Sequence, residues 1–226
     1  MQASSSDTDK GYLTSARGCV SRGGLARSVR TGQRVVALSF DDGPSRYTLS
    51  IVRILKRYQV NATFFEIGRQ VTWSYRPVLR ALLRNGNTIG DHTWSHPFLT
   101  HLSASEIWSQ IADTAQRIQR VAGFRPCLMR PPYGDYDSQV GKIATRLGLR
   151  AVTWSIDPTD WGRLGTDAIV KRVLDNIRPG RIILLHDGGG DRSETVKALP
   201  RILEVLANRH YQVVPVETLL RASMTD

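Results

Sequence analysis

Two aspartates end a strongly apolar stretch, Val35-Val36-Ala37-Leu38-Ser39-Phe40-Asp41-Asp42, and Gly43-Pro44 follows them. Carboxylates are rarely taken out of water unless they are paired or bound to a cation. Two residues of matching chemistry, His92 and His96, stand four apart in His-Thr-Trp-Ser-His. On one helical turn that spacing would aim both imidazoles the same way, which suits a metal. Gly90 and Pro97 argue against a long helix at this point. A third histidine, His186, closes the run Ile182-Ile183-Leu184-Leu185, with Asp187 after it. Each feature alone has a plain structural reading: an Asp-Gly-Pro turn, two satisfied histidines, a strand-end histidine bonded to a loop carbonyl. Jointly they supply more. One Asp with two His makes a three-ligand site with an open position, the arrangement of a hydrolytic rather than a structural metal. A second Asp is then available as a base and the distal His as an acid. His101 and His210 have no such setting and are read as surface residues.

The elements that must position these groups are short apolar runs at 35–40, 62–67, 87–90, 126–129, 150–156, 181–185 and 212–216. Helical spacings lie between them. One helix carries Ile51, Ile54, Leu55 and Tyr58, and a second Val78, Leu82 and Leu83. The third opens on the capping box Ser103-x-x-Glu106 and presents Ile107, Ile111, Ala115 and Ile118. Two more carry Ile169, Val170, Val173 and Ile177, then Val196, Leu199, Leu203 and Leu206. Pro200 predicts a late start or a bend in the last. Strand–helix alternation of this kind predicts an α/β fold on a parallel sheet, open or closed into a barrel. Either form gathers strand-end residues at the carboxyl edge, where ligands bind. Residues 1–32 are rich in Ser, Gly, Thr and Arg, and we read them as a polar lead ahead of one domain over 33–222.

The net charge of +11 invites a nucleic-acid reading. The arginines are scattered through every helix, without a block or a nucleic-acid motif, so no nucleic acid is expected as partner. No GxGxxG follows the first strand and no Walker loop occurs, so nucleotide binding has no support. No run of about 20 apolar residues exists to span a membrane. The N-terminus lacks a signal-peptide pattern, and any signal or anchor is expected outside this stretch. Two cysteines, Cys19 and Cys127, either pair in an oxidising compartment or are unrelated thiols.

Five segments in order carry a family resemblance: SFDDGP at 39–44, HTWSH at 92–96, RPPYG at 130–134, DPTDW at 157–161 and LLHD at 184–187. With them the chain resembles the polysaccharide deacetylases (NodB-homology domain) of carbohydrate esterase family 4, over about 35–220. The resemblance implies a distorted, incomplete (β/α) barrel of about seven parallel strands with a metal in the groove at the strand ends. It implies Asp42, His92 and His96 as ligands, Asp41 as general base and His186 as general acid. Arg130 would hold the Asp41 carboxylate, and the Tyr133 amide would face the oxyanion. Trp161 and Leu184 would line a small pocket for the acetyl methyl, with Pro132 beside the substrate. Asp160, ahead of Asp157, would orient and charge His186. Ser39 stands where the family often has Thr, and no reactive group is missing.

The implied reaction is metal-dependent hydrolysis of N-acetyl groups from an acetylated glycan, releasing acetate. Two imidazoles and a carboxylate suit Zn²⁺, and Co²⁺, Ni²⁺ or Mn²⁺ fit the same donors. Peptidoglycan, chitin-like oligomers and acetylated xylan all fit the motifs, and basic charge favours wall N-acetylglucosamine. A monomer, secreted or associated with the cell envelope, is expected. Three rivals predict otherwise. An acetylxylan esterase would use the same machinery. A glycosidase using Asp41 and Asp160 would leave His92, His96 and Arg130 idle. A non-catalytic glycan-binding module would stack sugars on Trp73, Trp94, Trp108 and Trp161.

Overall fold

The computed structural model describes residues 24–222. Seven strands alternate with seven helices among these residues. In chain order they are β1 (Val35–Gly43), α1 (Thr48–Arg57), β2 (Thr63–Glu66), α2 (Arg76–Arg84), β3 (Thr88–Asp91), α3 (Ala104–Ala122) and β4 (Leu128–Met129). The second half runs α4 (Ser138–Arg146), β5 (Arg150–Ala151), α5 (Thr166–Asn176), β6 (Ile182–His186), α6 (Ser193–Asn208), β7 (Gln212–Val214) and α7 (Val216–Ala222). All strand pairs are parallel, in the order β5-β4-β3-β2-β1-β6, and β7 pairs with the first residues of β1. The sheet curls into a half-barrel, the incomplete (β/α) barrel that the family resemblance implies.

Alternation along β1 sorts its side chains between two environments. Val36, Leu38 and Phe40 pack outward with Phe64, Ile183 and Leu185 against Ile51, Leu55, Val173 and Leu199 of the helices. Val35 and Ala37 face inward with Phe65 and Ile182, where Val216, Leu219 and Leu220 of α7 pack beneath them. Ser39 and Asp41 continue that inward row. Truncating a fully buried leucine such as Leu199 would cost about 2–5 kcal/mol.

Two helices lie beyond those the periodicity shows. In α4 the buried face is Val140, Gly141, Ile143 and Ala144, whose small members blank the apolar stripe. The seven residues of α7 are too few to show a period. In α2 the buried residues are Leu79 and Leu82, with Val78 half-buried. The late start suggested by Pro200 is not what forms. Helix α6 begins at Ser193 and runs through Pro200 to Asn208. Buried Ala198, Leu199, Ile202 and Leu203 around the proline offset the backbone hydrogen bond it cannot make. Cys127 is disulfide-bonded, and Cys19, the chain's other cysteine, lies outside the described residues. No helix among the described residues is long and apolar enough to cross a membrane.

Candidate metal centre and active site

Consecutive strand residues point to opposite faces, so adjacent aspartates should not share a site. They do here because the β1–β2 register slips between Asp41 and Gly43, and Asp42 adopts φ 71°. This bulge turns the second carboxylate back toward the strand ends. The chain after β6 presses on it from the other side. A Cβ on Gly188 would sit 1.8 Å from the Asp42 carbonyl oxygen, so only glycine fits.

His92 and His96 do not lie on a helical turn. They occupy the loop after β3, which folds back through left-handed Thr93 and His96, both at φ 65°. The Asp91 carboxylate accepts from the Thr93 amide at 2.9 Å, and the Thr93 hydroxyl accepts from the His96 amide at 3.2 Å. His92 Nδ1 lies 2.7 Å from the Arg130 carbonyl oxygen. A carbonyl can only accept, so Nδ1 carries the proton and Nε2 presents a lone pair.

Asp42 Oδ1 stands 3.4 Å from His92 Nε2 and 3.2 Å from His96 Nε2. Ligand atoms of a tetrahedral site with bonds of about 2.0–2.1 Å are separated by about 3.3 Å, so this donor set fits a divalent cation. Asp42 Oδ1 is buried without a hydrogen-bond donor, which leaves it available to a cation. Burial alone would push the Asp42 carboxyl up. The two imidazoles, with His186, outweigh it and hold the group far below the usual carboxylate range.

Asp41 is set apart from these three residues by a different partner. The Nη1 of Arg130 donates to Asp41 Oδ1 at 2.7 Å and to the Ser39 hydroxyl at 2.9 Å, while Nη2 donates to the Thr153 carbonyl at 3.2 Å. The guanidinium is fully buried and lies 4.1 Å over the Phe65 ring. Asp41 Oδ2 remains toward the candidate metal site, 3.7 Å from His92 Nε2.

His186 sits across the groove, at the end of β6. Its Nδ1 lies 2.7 Å from Asp160 Oδ1, and its amide donates to Asp160 Oδ2 at 2.9 Å. The Thr195 hydroxyl donates to the same Oδ2 at 2.7 Å. Burial pushes the imidazole pKa down, but Asp160, with Asp41 and Asp42 behind it, raises it above the ordinary value of 6.5. Asp157 instead caps the turn before Asp160, accepting from the Thr159 amide at 2.7 Å.

Trp161 and Leu184 line a cavity of about 580 Å³ together with His186, Tyr133 and Trp154. Tyr133 adopts φ 60°, stacks on Phe98 at 4.0 Å and meets the His96 ring edge-on at 4.6 Å. Pro132 is buried at the start of the Pro132–Gly134 turn that carries it. His101 and His210 are exposed, as expected. Of the exposed tryptophans, Trp73 precedes α2 and Trp108 lies on α3, while Trp161 lies in the groove.

Of two carboxyls beneath the site, the sequence reading named Asp187 without a role and missed Glu66. Glu66 ends β2 and Asp187 follows β6, both fully buried, and a Cβ on Gly43 would lie 2.5 Å from a carboxylate oxygen of each. Burial, with Asp42 and Asp41 nearby, pushes Asp187 up to about 7 against a bond from the Thr48 hydroxyl. Glu66 is likewise raised, by burial first and then by Asp187 and Asp41. A carboxylate ending the apolar run Thr63-Phe64-Phe65 is the same signal that flags Asp41, and it would have found Glu66.

A family model described as "Polysaccharide deacetylase" matches residues 28–152. The peptidoglycan-N-acetylmuramic acid deacetylase PdaC of Bacillus subtilis is 38% identical over 193 residues, 85% of this chain and 40% of that protein. The chain therefore spans less than half of that relative. A chitooligosaccharide deacetylase of Bradyrhizobium is 36% identical over 202 residues, 84% of this chain and 92% of its own length. The solved structure of a peptidoglycan N-acetylglucosamine deacetylase superposes with a TM-score of 0.82 at 33% identity, covering 90% of this chain and 94% of that one. The chain belongs to the polysaccharide deacetylases of carbohydrate esterase family 4.

Proposed function

We propose that this protein is a metal-dependent deacetylase that removes N-acetyl groups from glycans containing N-acetylglucosamine, peptidoglycan or chitin-like, and releases acetate. The supporting observation is the contrast between two adjacent carboxylates. Asp42 faces two bare imidazole nitrogens at 3.2 and 3.4 Å, whereas Asp41 is held by Arg130 at 2.7 Å. One is built to hold a cation and the other to stay off it. Asp42, His92 and His96 would hold a divalent metal, Zn²⁺ by donor type. Bound there, the cation supplies a Lewis acid that polarises the acetyl carbonyl and makes water acidic.

Asp41 takes the proton of the attacking water on Oδ2, the oxygen that Arg130 does not engage. The Tyr133 amide donates to the oxygen on which charge develops. His186 carries the proton for the leaving amine, because Asp160 occupies Nδ1 and favours the charged ring. The base and the acid are thus kept apart by their partners, Arg130 and Asp160. Trp161 and Leu184 shape the space for the acetyl methyl, and Pro132 supports the Tyr133 turn. A secreted or envelope setting accords with the disulfide at Cys127 and with a wall polymer as substrate.

The test is acetate release from chitotetraose, peptidoglycan and acetylated xylan, with and without chelator and metal add-back. Chelator-sensitive release from the N-acetylated polymers is expected. Release from xylan alone would make the protein an esterase, and release insensitive to chelator would overturn the metal assignment.

A further inference from the structure

Two cavities open on the candidate metal centre and share Asp42, His96 and Gly189, so they form the two arms of one groove. The arm described above is aromatic. The other, of about 840 Å³, is lined by Arg46, Arg69 and Arg163. These come from three separate segments: the β1–α1 loop, the Gly68–Gln70 turn after β2, and the chain just past the Asp160–Gly162 turn.

Exposed arginines are common on this basic chain, and a solvated guanidinium needs no partner. What sets these three apart is convergence on one cavity that ends at the reaction centre. The arm's own acid other than Asp42 is Asp191, and it is already engaged: its Oδ1 accepts from the Tyr47 hydroxyl at 2.7 Å and from the Ser193 amide at 2.9 Å. Arg46 is steadied by the same tyrosine, donating to its hydroxyl at 2.8 Å with the guanidinium 4.9 Å from the ring centroid. The Arg69 side chain makes no hydrogen bond or ion pair among the described residues, and Arg163 acts on Asp191 through space. Three guanidiniums face two carboxylates here, Asp191, already engaged, and Asp42, turned to the candidate metal centre, so the arm is left net positive; a carboxylate meets the guanidinium fork with paired bonds.

We propose that this arm is a subsite for a carboxylate borne by the glycan itself, on the acetamido sugar being deacetylated or on its neighbour. The subsite rests on the deacetylase reading and narrows its substrate class to acidic glycans. It leaves neutral chitin-like oligomers as the poorer substrate.

The experiment compares three oligomers of equal length: chitotetraose, a glycan strand fragment bearing 3-O-lactyl acid groups with stem peptides removed, and the methyl ester of that fragment. Wild-type kcat/KM for the acid should exceed that for the ester by about tenfold, and the advantage should shrink as salt rises. In the Arg69→Ala/Arg163→Ala double variant the acid-to-ester ratio should fall toward one. Both residues are exposed, so the unfolding midpoint of the variant should match wild type. Equal wild-type rates on acid and ester, or an undiminished ratio in the double variant, would overturn the subsite while leaving the deacetylase reading intact. Absence of acetate from all three substrates would remove both.

Discussion

The Arg130 carbonyl accepts from His92 Nδ1 at 2.7 Å while the Arg130 guanidinium donates to Asp41 at 2.7 Å. One residue just past β4 therefore sets a candidate metal ligand with its backbone and the candidate base with its side chain. The two functions separate under mutation. Arg130→Met should keep the metal, because the carbonyl remains. It should lose about 3–5 kcal/mol of stability, because a buried carboxylate is left unpaired, and at least a hundredfold in rate. Elemental analysis, denaturant unfolding and acetate release would check the three parts.

Asp42→Ala or His96→Ala should abolish tight metal binding, whereas Asp41→Asn should retain it and lose several orders of magnitude in kcat. Metal content measured beside turnover decides. Full occupancy in Asp42→Ala would sink the ligand assignment, and near-normal turnover in Asp41→Asn would remove the base.

Asp160 raises the His186 pKa above 6.5, so the protonated ring persists to higher pH than in a free imidazole. The stabilisation of that pair is complete below the unfolded value and fades as pH rises through the folded one. In Asp160→Asn the alkaline limb of kcat should therefore move to lower pH. An unmoved limb would show that another group sets it.

An activated ester leaves without a proton, whereas a sugar amine does not. His186→Ala should consequently slow N-acetyl hydrolysis far more than hydrolysis of p-nitrophenyl acetate. Equal losses on both would argue against His186 as the acid.

Asp187 is raised from 3.8 to about 7, and Glu66 is raised beside it. The native state thus holds protons that the unfolded chain releases, so stability should decline as pH climbs from about 4 toward 7 and beyond. Glu66→Gln removes one of the buried titrations and should flatten that decline. Unfolding midpoints across pH 5 to about 8 would show it, and an identical slope in the variant would refute it.

Much of this was readable in the chain because strands buried on both faces appear as apolar runs, and each of the seven predicted runs holds a strand. Helices with large apolar residues were equally plain, whereas the small-residue face of α4, with Gly141 and Ala144, left no stripe. The candidate site residues were named by type and order, and the structure brings Asp42, His92 and His96 together. Their geometry was not legible, since it depends on local backbone choices. The spacing of His92 and His96 suggests a helical turn, yet the left-handed residues Thr93 and His96 fold a loop instead. Nothing in the sequence places Thr195, from α6, on Asp160, because that contact spans 35 residues and depends on packing.

The bulge at Asp42 also constrains how this region can be re-engineered. One extra residue on β1 lets both aspartates work at one site, and removing it would return the second to the opposite face. The stretch from Phe40 to Gly43 is therefore a reading frame in space: a change in its length would displace both aspartates at once, whereas a point substitution disturbs only the residue it replaces. Loop grafts meant to alter substrate range should begin after Pro44, where the strand has released the chain.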